Sequence, residues 1–273
     1  KYNLNICFNT KTKIISISKK MKSEVMFNKK YPYRSSMSKT MKESFKKLSK
    51  EIIKRFNPNL TLEIGSNDGA LITNFGKKKA IGIEPCSNLA YMTKKKGFKT
   101  YNKYWNFDLA KKIRARHGLI DLIYSANTIT HISNLNDVFK SINYLLKNEG
   151  TLIIEDPSLL ECIKKNAYDQ FYNEHIYIFS AISLRKILKK HNMQIFDIQT
   201  LDTHGGSLRY FIKKNKNKEV KISDKVFKQL STEFKFGLNK LSTYKKFSSN
   251  VKKSKNQLIS LIQKIKNQKK IIV

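Results

Sequence analysis

The stretch Leu62-Glu63-Ile64-Gly65-Ser66-Asn67-Asp68-Gly69, followed by Gly82-Ile83-Glu84-Pro85, constrains the fold of this chain more than any other. It runs from a short apolar segment through a tight glycine turn and a helix to a second apolar segment that ends on an acid. That is the order of a βαβ unit. Glycine lets the backbone approach a ligand closely, and the start of the following helix offers free N–H groups. An acid about 20 residues on can hold the two hydroxyls of a ribose. The turn departs from the Gly-x-Gly-x-x-Gly of dinucleotide sites. It carries Glu63, Asn67 and Asp68 where a pyrophosphate would have to sit. Acids and an amide suit a ligand with a ribose and a cationic amino-acid end, and S-adenosylmethionine is such a ligand. Glu63, Gly65, Asn67, Asp68 and Glu84 are its expected contacts. An ordinary βα turn of any α/β protein is the competing reading.

The alternation continues along the chain. Short β-rich apolar runs at 60–64, 80–84, 119–126 and 151–155 read as buried parallel strands. Helical patterns at 69–76, 87–96, 107–116 and 136–147 fall between and around them. A further helix at 183–191 and two strands at 194–200 and 207–213 suggest a closing antiparallel hairpin. The expected fold is α/β: a Rossmann-like sheet of the class I methyltransferase type, with helices on both faces. Asn127, at the end of a strand, is a further expected cofactor contact. We divide the chain into an N-terminal segment (1–56), the α/β domain (57–213) and a Lys-rich helical segment (214–273). The first has no core pattern until Ser38, a cap for a helix with Met41, Phe45, Leu48 and Ile52 on one face. The last reads as one long amphipathic helix or a helical hairpin, with Gly237 as the break. Residues 270–273 look like the first half of a strand.

A net charge of +35 on 273 residues attracts polyanions. The excess is nearly all Lys, however, with Arg only at 34, 55, 114, 116, 185 and 209. Base and phosphate recognition favours the Arg fork, and no basic motif of a known nucleic-acid module is visible. Solvated lysines on every face are the simpler reading, and nucleic acid is not an expected partner. No run of about 18 apolar residues is present, so no membrane span is expected. Three scattered cysteines, Cys7, Cys86 and Cys162, fit a reducing cytoplasm.

Three more segments narrow the reading. They are Met26-Phe-x-x-x-Tyr31-Pro32-Tyr33-Arg34-Ser35-Ser36, Asp169-x-x-Tyr172-Asn173-Glu174-His175 and Thr203-His204-Gly205-Gly206-Ser207-Leu208-Arg209. With the Glu63 turn and Ala126-Asn127-Thr128 followed by His131-Ile132, they occur in the order found in the sugar C-methyltransferases. The chain resembles that family, whose members act on dTDP-linked 4-keto deoxysugars to make branched sugars such as tetronitrose. The resemblance runs over nearly the whole chain. The family begins with a zinc module of two Cys-x-x-Cys pairs. Here Cys7 stands alone, Thr10 sits where its partner should be, and one thiolate cannot make a four-ligand site. Zinc is therefore not expected. The family continues into a second Rossmann-like domain, so both ends of this chain are expected to be truncated. The oligomeric state is open.

Methylating a sugar carbon requires a carbanion, and a neighbouring ketone makes the C–H acidic enough for a positioned base. The resemblance assigns that role to His175, with Tyr172 and Glu174 beside it. Glu174 either orients the imidazole or binds a sugar hydroxyl. It also implies that Tyr31, Tyr33 and Arg34 cover the sugar site; anchoring of the N-terminal segment is the alternative. His204 and Arg209 are further candidates for substrate binding. A tight turn explains the first equally well, and an internal ion pair the second. His131 is read as structural.

Overall fold

The computed structural model describes residues 4–268 and Ile271. Two short strands, β1 (Ile6–Phe8) and β2 (Ile15–Ile17), and one helical turn, α1 (Ser23–Met26), come first. Helix α2 (Lys39–Phe56) starts where the Ser38 side chain accepts the Met41 N–H and stops at Asn57, left-handed at φ 38°. Then β3 (Thr61–Ile64), β4 (Ala80–Ile83), α3 (Ser87–Lys95), β5 (Lys99–Tyr101), α4 (Phe107–His117), β6 (Ile120–Ala126), α5 (Leu135–Leu145) and β7 (Leu146–Pro157) alternate. After α6 (Leu159–Lys164) and β8 (Tyr177–Ile178) follow α7 (Ala181–Lys189), β9 (Met193–Leu201), β10 (Ser207–Lys214), α8 (Asp224–Phe236) and α9 (Leu241–Asn267).

The main sheet has the order β5-β4-β3-β6-β7-β10-β9. Its first five strands are parallel, and β10 runs antiparallel between β7 and β9. Alternate residues of each strand face opposite layers, as the period of a strand requires. Ile123, Leu152, Ile154, Tyr210 and Ile212 pack with Leu109, Ile113, Val138, Phe139, Leu184 and Leu188 of α4, α5 and α7. Leu122, Tyr124, Ile153 and Phe211 pack with Phe45, Leu48 and Ile52 of α2 on the other side. The sheet is thus covered on both faces, with the turn after β3 at its carboxyl edge.

Three local expectations differ from the structure. The helix expected at 69–76 is one tight turn, Ile72–Asn74. The side chains of Thr73 and Asn74 bond back to the carbonyls of Gly69, Ala70 and Leu71, in competition with a helical ladder. Strand β5 had no apolar run to reveal it, because it is an edge strand in which Thr100 alone is buried. The N-terminal segment carries core after all: Ile14, Ile15 and Ile17 are buried, and β2 pairs with β1 and β8 in a small antiparallel sheet. The strand expected at 270–273 lies outside the described residues, apart from Ile271.

The C-terminal helices break at Gly237, left-handed at φ 89°. Helix α8 is fixed by Glu233, which is fully buried and accepts the N–H groups of Ala181 and Ile182, each at 2.9 Å. One carboxylate thus caps the start of α7. The apolar face of α9 packs through Phe247, Tyr244 and Val251, while Leu258 and Leu261 further along it are exposed. Among the described residues, no helix is long and apolar enough to cross a membrane.

Candidate active site

At the carboxyl edge of the sheet a cavity of about 320 Å³ opens over the ends of β3 and β4. Gly65, at φ 76°, forms its floor, and a Cβ there would collide with the Thr128 side chain. Glu84 points in from the end of β4. Its two oxygens accept the backbone N–H groups of Asn67 and Cys86, each at 2.8 Å. Those bonds fix the carboxylate and leave lone pairs for the hydroxyls of a ribose. Burial raises the Glu84 carboxyl above its usual range, and the two N–H groups oppose that shift. Phe27, Tyr31, Tyr104, Trp105, His131 and Ile132 supply an apolar and aromatic lining. Next to Gly65, Glu63 is 4% exposed, and its Oε2 has no hydrogen-bond partner. Burial pushes this carboxyl well up, and the charges of Glu84 and Asp68 add to the effect. A backbone hydrogen bond from Ile72 opposes the shift, and the unpartnered oxygen of such a buried carboxyl is relieved by a cation. A hydroxyl-binding acid and an acid that lacks a cation fit S-adenosylmethionine.

A second cavity of about 390 Å³ shares Tyr31, Gly65, Asn67, Thr128 and His131 with the first. Tyr172, Glu174 and His175 line it, with Glu63, Asn127 and Pro157. His175 Nδ1 lies 2.8 Å from the Gln170 carbonyl oxygen. A carbonyl only accepts, so Nδ1 carries the proton and Nε2 is the basic atom of the neutral ring. The Tyr172 hydroxyl, 2.9 Å away, donates to Nε2. Burial, with Glu174 nearby, pushes Tyr172 up to about 12, which keeps it a phenol. Glu174 accepts from the Tyr31 hydroxyl at 3.0 Å. His131 stacks between Phe27 and His175, with centroids 5.4 and 5.3 Å away. Burial, then the nearby His175, lowers it to about 3, so it is neutral, and its buried Nε2 has no partner.

The expected site residues separate accordingly. Glu84 lines the first cavity, Glu63, Asn127 and Tyr33 the second, and Gly65, Asn67 and Tyr31 both. Asp68 was expected at the cofactor, but it lines neither. Its carboxylate is fully buried and accepts from the backbone N–H and hydroxyl of Ser36. Arg34, extended just before the turn Ser35–Met37, is exposed and lines neither cavity. Arg209 was a candidate for the substrate's pyrophosphate. It is instead buried in an ion pair with Glu155 at 2.9 Å, with Gln199 at 2.8 Å, and lines a separate cavity with Glu51 and Gln199. Of the two readings left open for it, the internal pair is the one observed. His204 lies in the turn Thr203–Gly205, and its side chain is outside the described residues. Sequence reasoning missed His131 as part of the pocket and gave no role to Phe27, Tyr104 and Trp105. The adjacent aromatics Tyr104-Trp105 in an otherwise polar stretch were the available signal. Among the described residues, no group of three or more His, Cys, Asp or Glu is placed to hold a metal. The exposed thiol of Cys7 does not fit a four-ligand zinc site.

The chain is similar to known proteins at two levels. Residues 33–197 match a methyltransferase domain family, and residues 202–273 match a C-methyltransferase C-terminal domain. The C-methyltransferase NovU of Streptomyces niveus is 32% identical over 155 residues, which is 56% of this chain and 37% of NovU. The chain thus spans well under half of that relative. The crystal structure of the PH0226 protein from Pyrococcus horikoshii OT3 superposes with a TM-score of 0.52 at 13% identity, covering 67% of this chain and 94% of that one. That likeness shows the fold. With 165 of the 273 residues inside the matched domain (33 to 197), the chain belongs to the methyltransferase-domain family.

Proposed function

We propose that the chain uses S-adenosylmethionine to methylate a carbon beside the ketone of a nucleotide-linked 4-keto deoxysugar, with a dTDP-sugar as the substrate class. One observation carries the reading. His175 is held by the Gln170 carbonyl in the tautomer whose basic Nε2 stands in a cavity next to the Glu84 pocket. Glu84 would hold the ribose of the cofactor, and Glu63 would face its cationic end. The cofactor supplies an electrophilic methyl group. His175 Nε2 takes the proton from the carbon beside the ketone, in the direction the Tyr172 hydroxyl now occupies. The Tyr172 hydroxyl and the unpartnered His131 Nε2 are then available to donate to the enolate oxygen. The bound cofactor would offer its methyl group to the enolate carbon and leave as the neutral thioether, while His175 would keep the proton. Methylation at carbon is supported by the C-methyltransferase names of the matched C-terminal domain and of NovU. The sugar is supported by the ordered motifs around Tyr31, His175 and His204.

The test is solvent exchange. A dTDP-linked 4-keto-6-deoxyhexose in deuterium oxide should take up deuterium beside its ketone with the wild-type chain and no cofactor. His175→Asn should slow that uptake by about 100-fold or more. Equal exchange in both would remove His175 from the role of base. Methylation of a hydroxyl without any exchange would replace the reading with an O-methyltransferase.

A further inference from the structure

The segment 18–38, which roofs both cavities, contains no fully buried residue. Apart from the stack of Phe27 on His131, polar bonds to the domain set its position. Asn88 Nδ2 donates to the Tyr31 carbonyl at 2.9 Å, and the Tyr104 hydroxyl to that of Phe27 at 2.7 Å. The remaining backbone bonds converge on two neighbours in the glycine turn. Asn67 Nδ2 donates to the Tyr33 carbonyl at 3.2 Å, and Asn67 Oδ1 accepts the Ser35 N–H at 2.9 Å. Asp68 accepts from Ser36. The same turn holds the cofactor pocket's acid, because the Asn67 N–H donates to Glu84 at 2.8 Å. Asn67 thus touches the ribose-binding carboxylate with its main chain and the roof with its side chain, from a left-handed backbone at φ 49°.

We propose, resting on the S-adenosylmethionine reading of the first cavity, that Asn67 and Asp68 are positioning residues that couple cofactor binding to closure of the roof. Phe27 and Tyr31 sit over the first cavity, and Tyr31 and Tyr33 over the second. A cofactor that enters must find the roof open, and roof closure then completes the substrate compartment. Closure also buries the Asp68 carboxylate, which is tolerated because Ser36 supplies donors to it. A cofactor whose hydroxyls engage Glu84 orders the turn that receives Ser35 and Ser36, so the two events favour each other. The closed roof in return slows cofactor release.

Lys29 and Lys30 are exposed in the roof and give a direct readout. Trypsin cleavage at these positions is followed by mass spectrometry of the fragments, while S-adenosylhomocysteine affinity is measured separately by calorimetry. In the wild-type chain, S-adenosylhomocysteine should slow cleavage there by about fivefold or more. In Asp68→Asn and in Ser36→Ala the ligand should still bind, about five- to tenfold more weakly, and the protection should be lost. Ser36→Ala leaves the turn itself untouched, which guards against simple misfolding of the Asp68 variant. Binding to the wild type without protection would overturn the coupling and leave the cofactor reading intact. Protection retained in both variants would overturn the role of Asp68. Absence of binding to the folded wild type would remove the cofactor reading and the coupling together.

Discussion

At the scale of residues, the two stacked histidines differ sharply in what a reader of the sequence can see. His175 sits inside a long motif, and its place in the pocket was legible. His131 looked structural because a His followed by Ile at the start of a helix has no distinguishing chemistry. Its role comes from packing: Phe27, from a segment about 100 residues earlier in the chain, stacks on one side and His175 on the other. This packing has a pH consequence. With its pKa lowered to about 3 in the fold against about 6.5 unfolded, His131 is protonated in the unfolded chain before it is in the folded one. Its contribution to stability is intact above pH 6.5 or so and declines as pH falls toward 3. Thermal unfolding of His131→Phe between pH 7 and 4 should therefore fall less steeply than wild type, by about 3 kcal/mol across the window. Parallel curves would show that the ring is not shielded. Asp68 and Arg209 teach the complementary lesson. Both were charged residues in suggestive motifs, and both turn away from the ligand cavities, toward Ser36 and Glu155. Sequence spacing gives the turn but not the direction of a side chain within it.

At the scale of elements, most strands with apolar runs and most helices could be read to within a residue or two, as with α2 from its Ser38 cap, although β7 begins at Leu146, five residues before the expected run. What escaped were elements whose identity depends on partners distant in sequence. Strand β2 is recognised by β8, about 160 residues later, and edge strand β5 by β4. The attachment of α8 was equally invisible, because Glu233 looked like one of the few acids of a Lys-rich tail. Its two oxygens accept two N–H groups at the start of α7, and burial raises its carboxyl. Glu233→Gln keeps the size but offers one acceptor and sets an amide N–H₂ against a backbone N–H. Denaturant unfolding should show a loss of about 1–3 kcal/mol, with hydrogen exchange at Ala181 and Ile182 accelerated. A variant as stable as wild type would mean that water replaces the cap.

At the scale of the whole molecule, the charge of +35 is the property that sequence and structure weigh differently. Composition alone invites a polyanion-binding reading, whereas the cavities are built from carboxyls, amides and aromatic rings. The lysine field should attract RNA without reading it. Anisotropy titrations with single-stranded RNAs of unrelated sequence should give similar affinities that fall by orders of magnitude between about 50 and 200 mM salt. S-adenosylhomocysteine affinity should hardly change over that range. A salt-resistant preference for one RNA would restore nucleic acid as a partner.

The order of the sheet also bears on how a ribosome delivers this chain. Strand β9 leaves the tunnel before β10, yet in the main sheet it pairs with β10, which separates it from β7. Until Lys214 has emerged, the nascent sheet must hold the edge of β7 unpaired and β9 in waiting. Released chains truncated near residue 201 should thus be open to β-mediated association, and released chains that extend through Lys214 should not.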